Sequence, residues 1–517
     1  MKLSVLVFTF VVILQLGDCR HTSWIPNIYD VVANKTSQIR NYVREKSRSL
    51  KHFYVENVRN KITSYLGIDD DNNKVLEETD SDSQARIKRK FKGYIDAAKT
   101  SDSKIFDSIA PEDLEYKCLE DDPSVHMTTP QLIARNGYTA ESHTIVTDDG
   151  YILTVHRIPF SKNSFNRVSP RKTVLLHHGL LGSSADWIIP GPKKGLAYIL
   201  SEAGYDVWMA NVRGNTYSRA HVSLNIDSFE FWNFTFHEVS QHDLPAVIDH
   251  IMDIKGWDVK INYIGHSMGT TVLFALLSTK TQYNKVLRAG FALAPVAYMT
   301  DIKSPIRLLA KYSNNIEYLM KLLGANEFLP QNAVLRWLSK HACEINHYEE
   351  VICENSLFVL CGHDVKQFNR TLLPMILGHV PAGASTRTLV HYAQEIKNDG
   401  RFQRFDYGID GNMKQYGSPT PPEYPIHKIT LPIALLSAQN DWLSGDVDVT
   451  NLYVQLANPI EHYIVPLREF NHIDFLWGVD APTLVYIKLL QLLEEGASKS
   501  FGDEPDIETN DLSSLNR

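Results

Sequence analysis

The stretch INYIGHSMGTTVLF, Ile261 to Phe274, constrains this chain more than any other. INYIGH is a short, mostly apolar run of the kind that forms a buried strand, and TTVLFALLSTK carries an apolar helical pattern. Only Gly265-His266-Ser267-Met268-Gly269 joins the two. A chain that passes from strand to helix this abruptly brings the two backbones close together. Glycines two residues before and two after Ser267 leave room for that approach and for a strained turn. The serine hydroxyl is then presented at a helix N-terminus, as a nucleophile requires. The competing reading is an ordinary serine in a glycine-rich loop. The pentapeptide alone recurs by chance, and the flanking strand and helix favour the nucleophile.

A serine hydroxyl is unreactive at its free pKa and needs a base, itself oriented by an acid. On a strand–turn–helix nucleophile these follow in the chain order Ser, Asp or Glu, His. LPIALLSAQND places Asp441 just beyond an apolar strand, and HYIVPLREFNH places His472 just beyond another. Ligand sites in open α/β sheets lie at the carboxyl ends of the strands. Asp446 and Asp448 fall further along the next helical pattern, Asp474 and Asp480 follow the histidine, and His462 precedes its strand. We therefore read Asp441 as the acid and His472 as the base. Two backbone N–H groups are needed for the oxyanion. The residue after the nucleophile, Met268, supplies one, and Leu180 in HHGLLGSSADW, after an early buried strand, the other. A residue that contributes only its N–H need not be polar, which accounts for a methionine beside the serine.

From about Thr129 the chain alternates strand-like runs (173–179, 205–214, 261–267, 287–296, 431–441, 462–472) with helical patterns such as DLPAVIDHIMDIKG. ESHTIVTDDGYILTVHRIP carries a hairpin signal. The rhythm predicts an α/β fold with a mostly parallel central sheet flanked by helices. It breaks at 301–420, where apolar helical patterns predict an inserted cap, either a moving lid or a static cover. The expected organisation is a signal peptide at 1–19, a polar extension or propeptide at 20–120, and core segments at 121–300 and 421–495 around the cap. An acidic tail occupies 496–517. The leader reading rests on Lys2, the apolar run Leu3–Leu16 and the small residues Gly17 and Cys19, with a signal anchor as the alternative. RIKRK, Arg86 to Lys90, reads as a processing site or as a solvated basic cluster.

Apolar residues make up 44% of the 517, enough for a sizeable core, and a net charge of -8 gives no support for a nucleic-acid partner. No internal apolar run reaches the roughly 18 residues that span a bilayer. Sequons at Asn34, Asn233 and Asn369 suit an exported glycoprotein. Four of the five cysteines remain after the leader, and export predicts a disulfide among the clustered Cys343, Cys353 and Cys361. There is no CxxC pair, so a zinc site is not expected.

With HHGLLGSSADW, NVRGNTYSRAH, FWNFTFHEVSQHDLPAVIDHI, YIGHSMGTT, PAGASTRTLVHYAQ, QNDWLSGDVDV and NHIDFLWGVDAP together, the chain resembles the acid lipase family over about residues 120–492. That family includes gastric and lysosomal acid lipases and has the α/β-hydrolase fold. The resemblance implies Ser267, Asp441 and His472 as the triad, Leu180 and Met268 as oxyanion donors, and a Cys343–Cys353 disulfide with Cys361 left as a free thiol. Family members commonly carry glutamine where Met268 stands. The implied activity is hydrolysis of neutral lipid esters at a lipid–water interface, secreted or in the lysosome, with no metal or other cofactor. A short-chain carboxylesterase, a hydrolase of another bond type and a non-catalytic lipid-binding protein are the alternatives. The extension before residue 120 has no counterpart in the resemblance.

Overall fold

A computed structural model describes residues 123–162, 171–312, 315, 326–329, 360–398 and 400–499. The leader, the polar extension with RIKRK, Asn34, Cys343, Cys353 and the tail from 500 onward lie outside the described residues. The Thr147–Gly150 turn joins β1 (Glu141–Val146) to β2 (Tyr151–Ile158) as the predicted antiparallel hairpin. Then follow β3 (Thr173–His177), β4 (Asp206–Met209), the short β5 (Ala220–His221), β6 (Ile261–His266) and β7 (Leu287–Leu293). A separate ribbon pairs β8 (Glu327–Phe328) with β9 (Ala384–Ser385), and β10 (Ile433–Ser437) and β11 (Pro459–Ile464) complete the main sheet.

The nine-stranded sheet has the order β1-β2-β4-β3-β6-β7-β10-β11, with β5 against β2. From β4 to β11 every pair is parallel. The chain leaves β3 toward β4 on one side and later returns to β6 on the other. The switch point therefore falls between β3 and β6, where sheets of this kind open a crevice for ligand. Strands β3, β4 and β6 are buried at every residue, as strands covered by helices on both faces must be.

Among the described residues the α-helices of seven or more residues are α1 (Thr129–Arg135), α2 (Leu196–Glu202), α3 (Leu244–Lys255), α4 (Met268–Thr279), α5 (Leu373–His379), α6 (Thr386–Lys397), α7 (Gly408–Tyr416), α8 (Asp446–Gln455) and α9 (Ile487–Lys499). α4 is buried at every residue except Thr279, so it is a core helix and not an amphipathic surface one. The 301–420 block, where described, contains helices α5, α6 and α7 together with the β8–β9 ribbon, which the helical pattern did not foretell. Its Tyr392, on α6, joins the main apolar core, and Phe236 stacks on His391 at 4.0 Å between ring centroids.

One strand reading needs correction. The last strand runs from Pro459 to Ile464, so His462 lies within it and not ahead of it. Its residues are half-exposed because it is an edge strand with a single neighbour, β10. An edge tolerates polar residues, and NPIEHYI for that reason looks less strand-like than the buried runs. His472 accordingly stands eight residues past the strand, at the end of a loop.

Candidate active site

Three loops at the carboxyl end of the sheet meet over the switch point. Ser267 follows β6 with φ 53° and ψ -119°, a backbone conformation that L residues rarely adopt. The turn is held by its surroundings. The Ser267 N–H donates to the Leu293 carbonyl at 3.1 Å, and the Ser267 carbonyl accepts from the Thr270 N–H at 2.8 Å and its hydroxyl at 2.6 Å. Both flanking glycines are required by space. A Cβ on Gly269 would lie 2.3 Å from the His177 carbonyl, and one on Gly265 2.8 Å from the Gly269 backbone. Tyr263 locks the same corner by donating to the Gly269 carbonyl at 2.7 Å.

His472 Nε2 lies 2.8 Å from Ser267 Oγ. On the far side of the imidazole, Nδ1 lies 2.8 Å and 3.0 Å from the two oxygens of Asp441. With Nδ1–H donating to the carboxylate, Nε2 is left bare to accept the serine proton. Asp441 follows β10 by four residues and is 1% exposed. Its Oδ1 also accepts the N–H groups of Leu443 and Ser444, both at 2.8 Å, which fix the carboxylate's direction. The adjoining His266 is buried, and its Nε2 meets the His472 carbonyl at 2.9 Å. Burial, with the neighbouring imidazole of His472, holds His266 down at about 3, so it stays neutral.

Met268 is the first residue of α4, and its N–H is one of those an α-helix leaves without an intrahelical acceptor. Its side chain is 4% exposed and sits in the main core. The loop carrying Leu180 presses on the nucleophile, because a Cβ on Gly179 would lie 3.1 Å from Ser267 Cβ. His178 braces that loop. Its Nδ1 lies 2.8 Å from the Gly179 carbonyl, and its Nε2 accepts the Val212 N–H at 3.2 Å. Burial holds His178 at about 4, the neutral form this bracing needs.

A second serine–histidine pair is buried elsewhere, with His156 Nδ1 2.7 Å from Ser184 Oγ. Ser184 is fully buried and donates a hydrogen bond to Thr129 Oγ1 at 3.0 Å, so this pair ties β2 to the loop after β3. Of the rivals named from sequence, Asp448 binds Thr300 and the Asp301 N–H, Asp474 accepts the Asn471 N–H, and Asp480 binds Gln367. His462 bonds to Ser437 at 2.8 Å. Asp148, Asp149 and His242 have ligand atoms within 4.8 Å of one another. Asp149 is already clamped in bidentate fashion by Arg213, which disfavours a cation there. Asn233 is exposed, Asn369 is half-buried at a helix cap, and Cys361 is a buried free thiol. Sequence reasoning missed the bracing roles of His178 and His266, since a histidine beside a motif carries no signal of which backbone it holds.

The fold and this arrangement define a serine hydrolase of the α/β-hydrolase class, a carboxylic ester hydrolase. Residues 129–191 match the family described as the partial alpha/beta-hydrolase lipase region, and residues 172–314 match the alpha/beta hydrolase fold family. The chain is 40% identical to the gastric triacylglycerol lipase of Bos taurus over 72% of its own length and 92% of the relative's. It is 36% identical to the human lysosomal acid lipase/cholesteryl ester hydrolase over the same shares. Lipase 3 of Drosophila melanogaster is 39% identical over 70% of this chain and 91% of its own. The chain belongs to the family of gastric and lysosomal acid lipases. No helix among the described residues is long and apolar enough to cross a membrane.

Proposed function

We propose that this lipase hydrolyses esters of neutral lipids, the class that takes in triacylglycerols and sterol esters, by way of an acyl-enzyme on Ser267. The 2.8 Å approach of Ser267 Oγ to His472 Nε2, with Asp441 behind the ring, carries this reading. As Ser267 attacks the ester carbonyl, His472 takes the hydroxyl proton, and Asp441 stabilises the imidazolium and holds its tautomer. The N–H groups of Leu180 and Met268 stabilise the oxyanion. Collapse breaks the acyl–oxygen bond, and the alcohol leaves with the proton from His472. Water, deprotonated in turn by His472, then adds to the acyl-enzyme, and the fatty acid departs as Ser267 recovers its proton. The names of the bovine and human relatives support the substrate class.

The leader pattern and the same relatives support export, to the extracellular space or the lysosomal lumen. A mature N-terminus at Arg20 is expected, and intact-mass measurement of the secreted protein checks it. A start near Lys90 would instead show cleavage at RIKRK. The central experiment measures fatty acid released from emulsified trioleoylglycerol and from a soluble short-chain ester, from acidic to neutral pH, in wild type and Ser267→Ala. Emulsion hydrolysis that vanishes in the variant is the expected result. Activity on the soluble ester alone would make the chain a short-chain esterase, and unchanged activity in the variant would remove Ser267 from the mechanism.

A further inference from the structure

The candidate acid and base ride on separate loops, one after β10 and one after β11, and a third segment lies across both. The Cys361 carbonyl accepts the N–H of Trp442 and the N–H of His472, each at 3.3 Å. The next carbonyl, that of Gly362, accepts from Asn471 Nδ2 at 2.9 Å, and the carbonyl of His363 accepts from Asn440 Nδ2 at 3.1 Å. Three successive carbonyls of one strap thus hold residues on both sides of Asp441 together with His472 and the residue before it. Asn440 also reaches the Glu469 carbonyl at 2.7 Å, tying the acid loop directly to the base loop. Further along, the Gln367 carbonyl accepts the Val479 N–H, and its side chain makes two 2.8 Å bonds to Asp480. The strap's approach leaves no space for a side chain. Gly362 has φ +112°, and a Cβ there would lie 2.1 Å from the Asn440 carbonyl and 3.1 Å from Asn471 Cβ.

Asp441 and His472 are each preceded by an asparagine, and each asparagine donates its amide to this strap. We propose that Asn440 and Asn471, acting through the carbonyls of 361–363, are positioning residues that set the separation of Asp441 and His472. The inference rests on the triad reading above. It ties the aim of the imidazole to a segment within the 301–420 block, remote in sequence from both loops. Neither asparagine bonds to Ser267, so their contribution is to the geometry of the acid–base pair. Asn471 is fully buried and also caps its own turn, with Oδ1 accepting the Ile473 N–H at 3.0 Å. The half-buried Asn440 is therefore the better residue to change.

The test is steady-state kinetics of Asn440→Ala on a soluble short-chain ester, alongside inactivation by an alkylphosphonate that reacts with the nucleophilic serine. The expected result is a kcat lower by about tenfold to a hundredfold, with KM nearly unchanged, as misplacement of a catalytic group produces. Phosphonate inactivation should slow in parallel. Gly362→Ala, which forces the strap off the Asn440 carbonyl, should give the same kcat-directed loss. In an Asp441→Ala background the effect of Asn440→Ala should disappear, because the residue acts through that carboxylate. Unchanged kcat in a folded Asn440→Ala protein overturns the proposal, as does a loss repeated in full without Asp441. Full activity in Asn440→Ala beside an inactive Ser267→Ala overturns the strap and leaves the triad standing. Activity retained in Ser267→Ala overturns both.

Discussion

At the scale of single residues, two side chains beside the chemistry separate backbone from side-chain roles. Met268 is buried in the core, and the proposed mechanism uses only its N–H, so Met268→Leu should leave kcat within about twofold and cost less than about 1.5 kcal/mol. A tenfold drop in kcat on the soluble ester would show that the thioether itself matters. Asp186, on the loop that carries Leu180, is buried, and burial raises its carboxyl to about 7 although the Ser183 N–H pulls the other way. The sign follows from linkage. Between the ordinary value of 3.8 and about 7 the folded state holds a proton that the unfolded state has lost, so stability contributed here falls as pH rises through that window. Asp186→Asn keeps the neutral form at every pH. It should therefore raise the unfolding midpoint at neutral pH more than at pH near 4. Equal shifts at both pH values in thermal melts would count against the buried acid.

At the scale of elements, the strand–turn–helix at Ser267 is stabilised by the close passage of α4 under β3. Gly269→Ala places a methyl 2.3 Å from the His177 carbonyl, and backbone cannot yield as a flexible side chain does. The expected cost is about 1–3 kcal/mol in urea unfolding, with kcat reduced because the Ser267 turn must shift. Stability unchanged within about 0.5 kcal/mol would mean that the two elements part easily. Leu273 on α4 is completely buried in the main core, and Leu273→Ala should cost about 2–5 kcal/mol while leaving the site's polar contacts in place. The elements most legible in the sequence are those buried on both faces, β3, β4 and β6, because their composition has no freedom. The edge strand β11 was misplaced for the opposite reason. The β8–β9 ribbon, two residues on each side, is too short for any period to register.

At the scale of the whole molecule, burial sets two groups of titrating side chains against each other. It lowers His156, His178 and His379 to about 4 and His177, His266 and His391 to about 3. A histidine lowered in this way costs stability progressively as pH falls from 6.5 toward its folded value. Burial also raises Asp186 to about 7, Asp364 to about 6, and Glu395 and Asp474 well above the usual carboxylate range. These acids return stability over the same descent, until about pH 4. The melting temperature should therefore fall less between pH 6.5 and about 4 than the histidines alone would dictate, and fall more steeply below that. There the acids have no more to return, His177, His266 and His391 still charge, and Asp149, held low by Arg213 against its burial, takes up its proton. A steady fall beginning at pH 6.5 in calorimetry would show that the acids do not offset the histidines. The sequence by itself determined the class of fold, through the strand–helix alternation, and offered Ser267, Asp441 and His472 as the candidate triad in that chain order, because a nucleophile turn and strand-end loops leave local marks. The tertiary structure alone decided what holds them. The strap at 361–363, the bracing by His178 and His266, and the separation of the acid and base loops join segments up to 206 residues apart, chiefly through backbone carbonyls. Every residue type carries that same carbonyl, so nothing in the string of side chains records which of them meet.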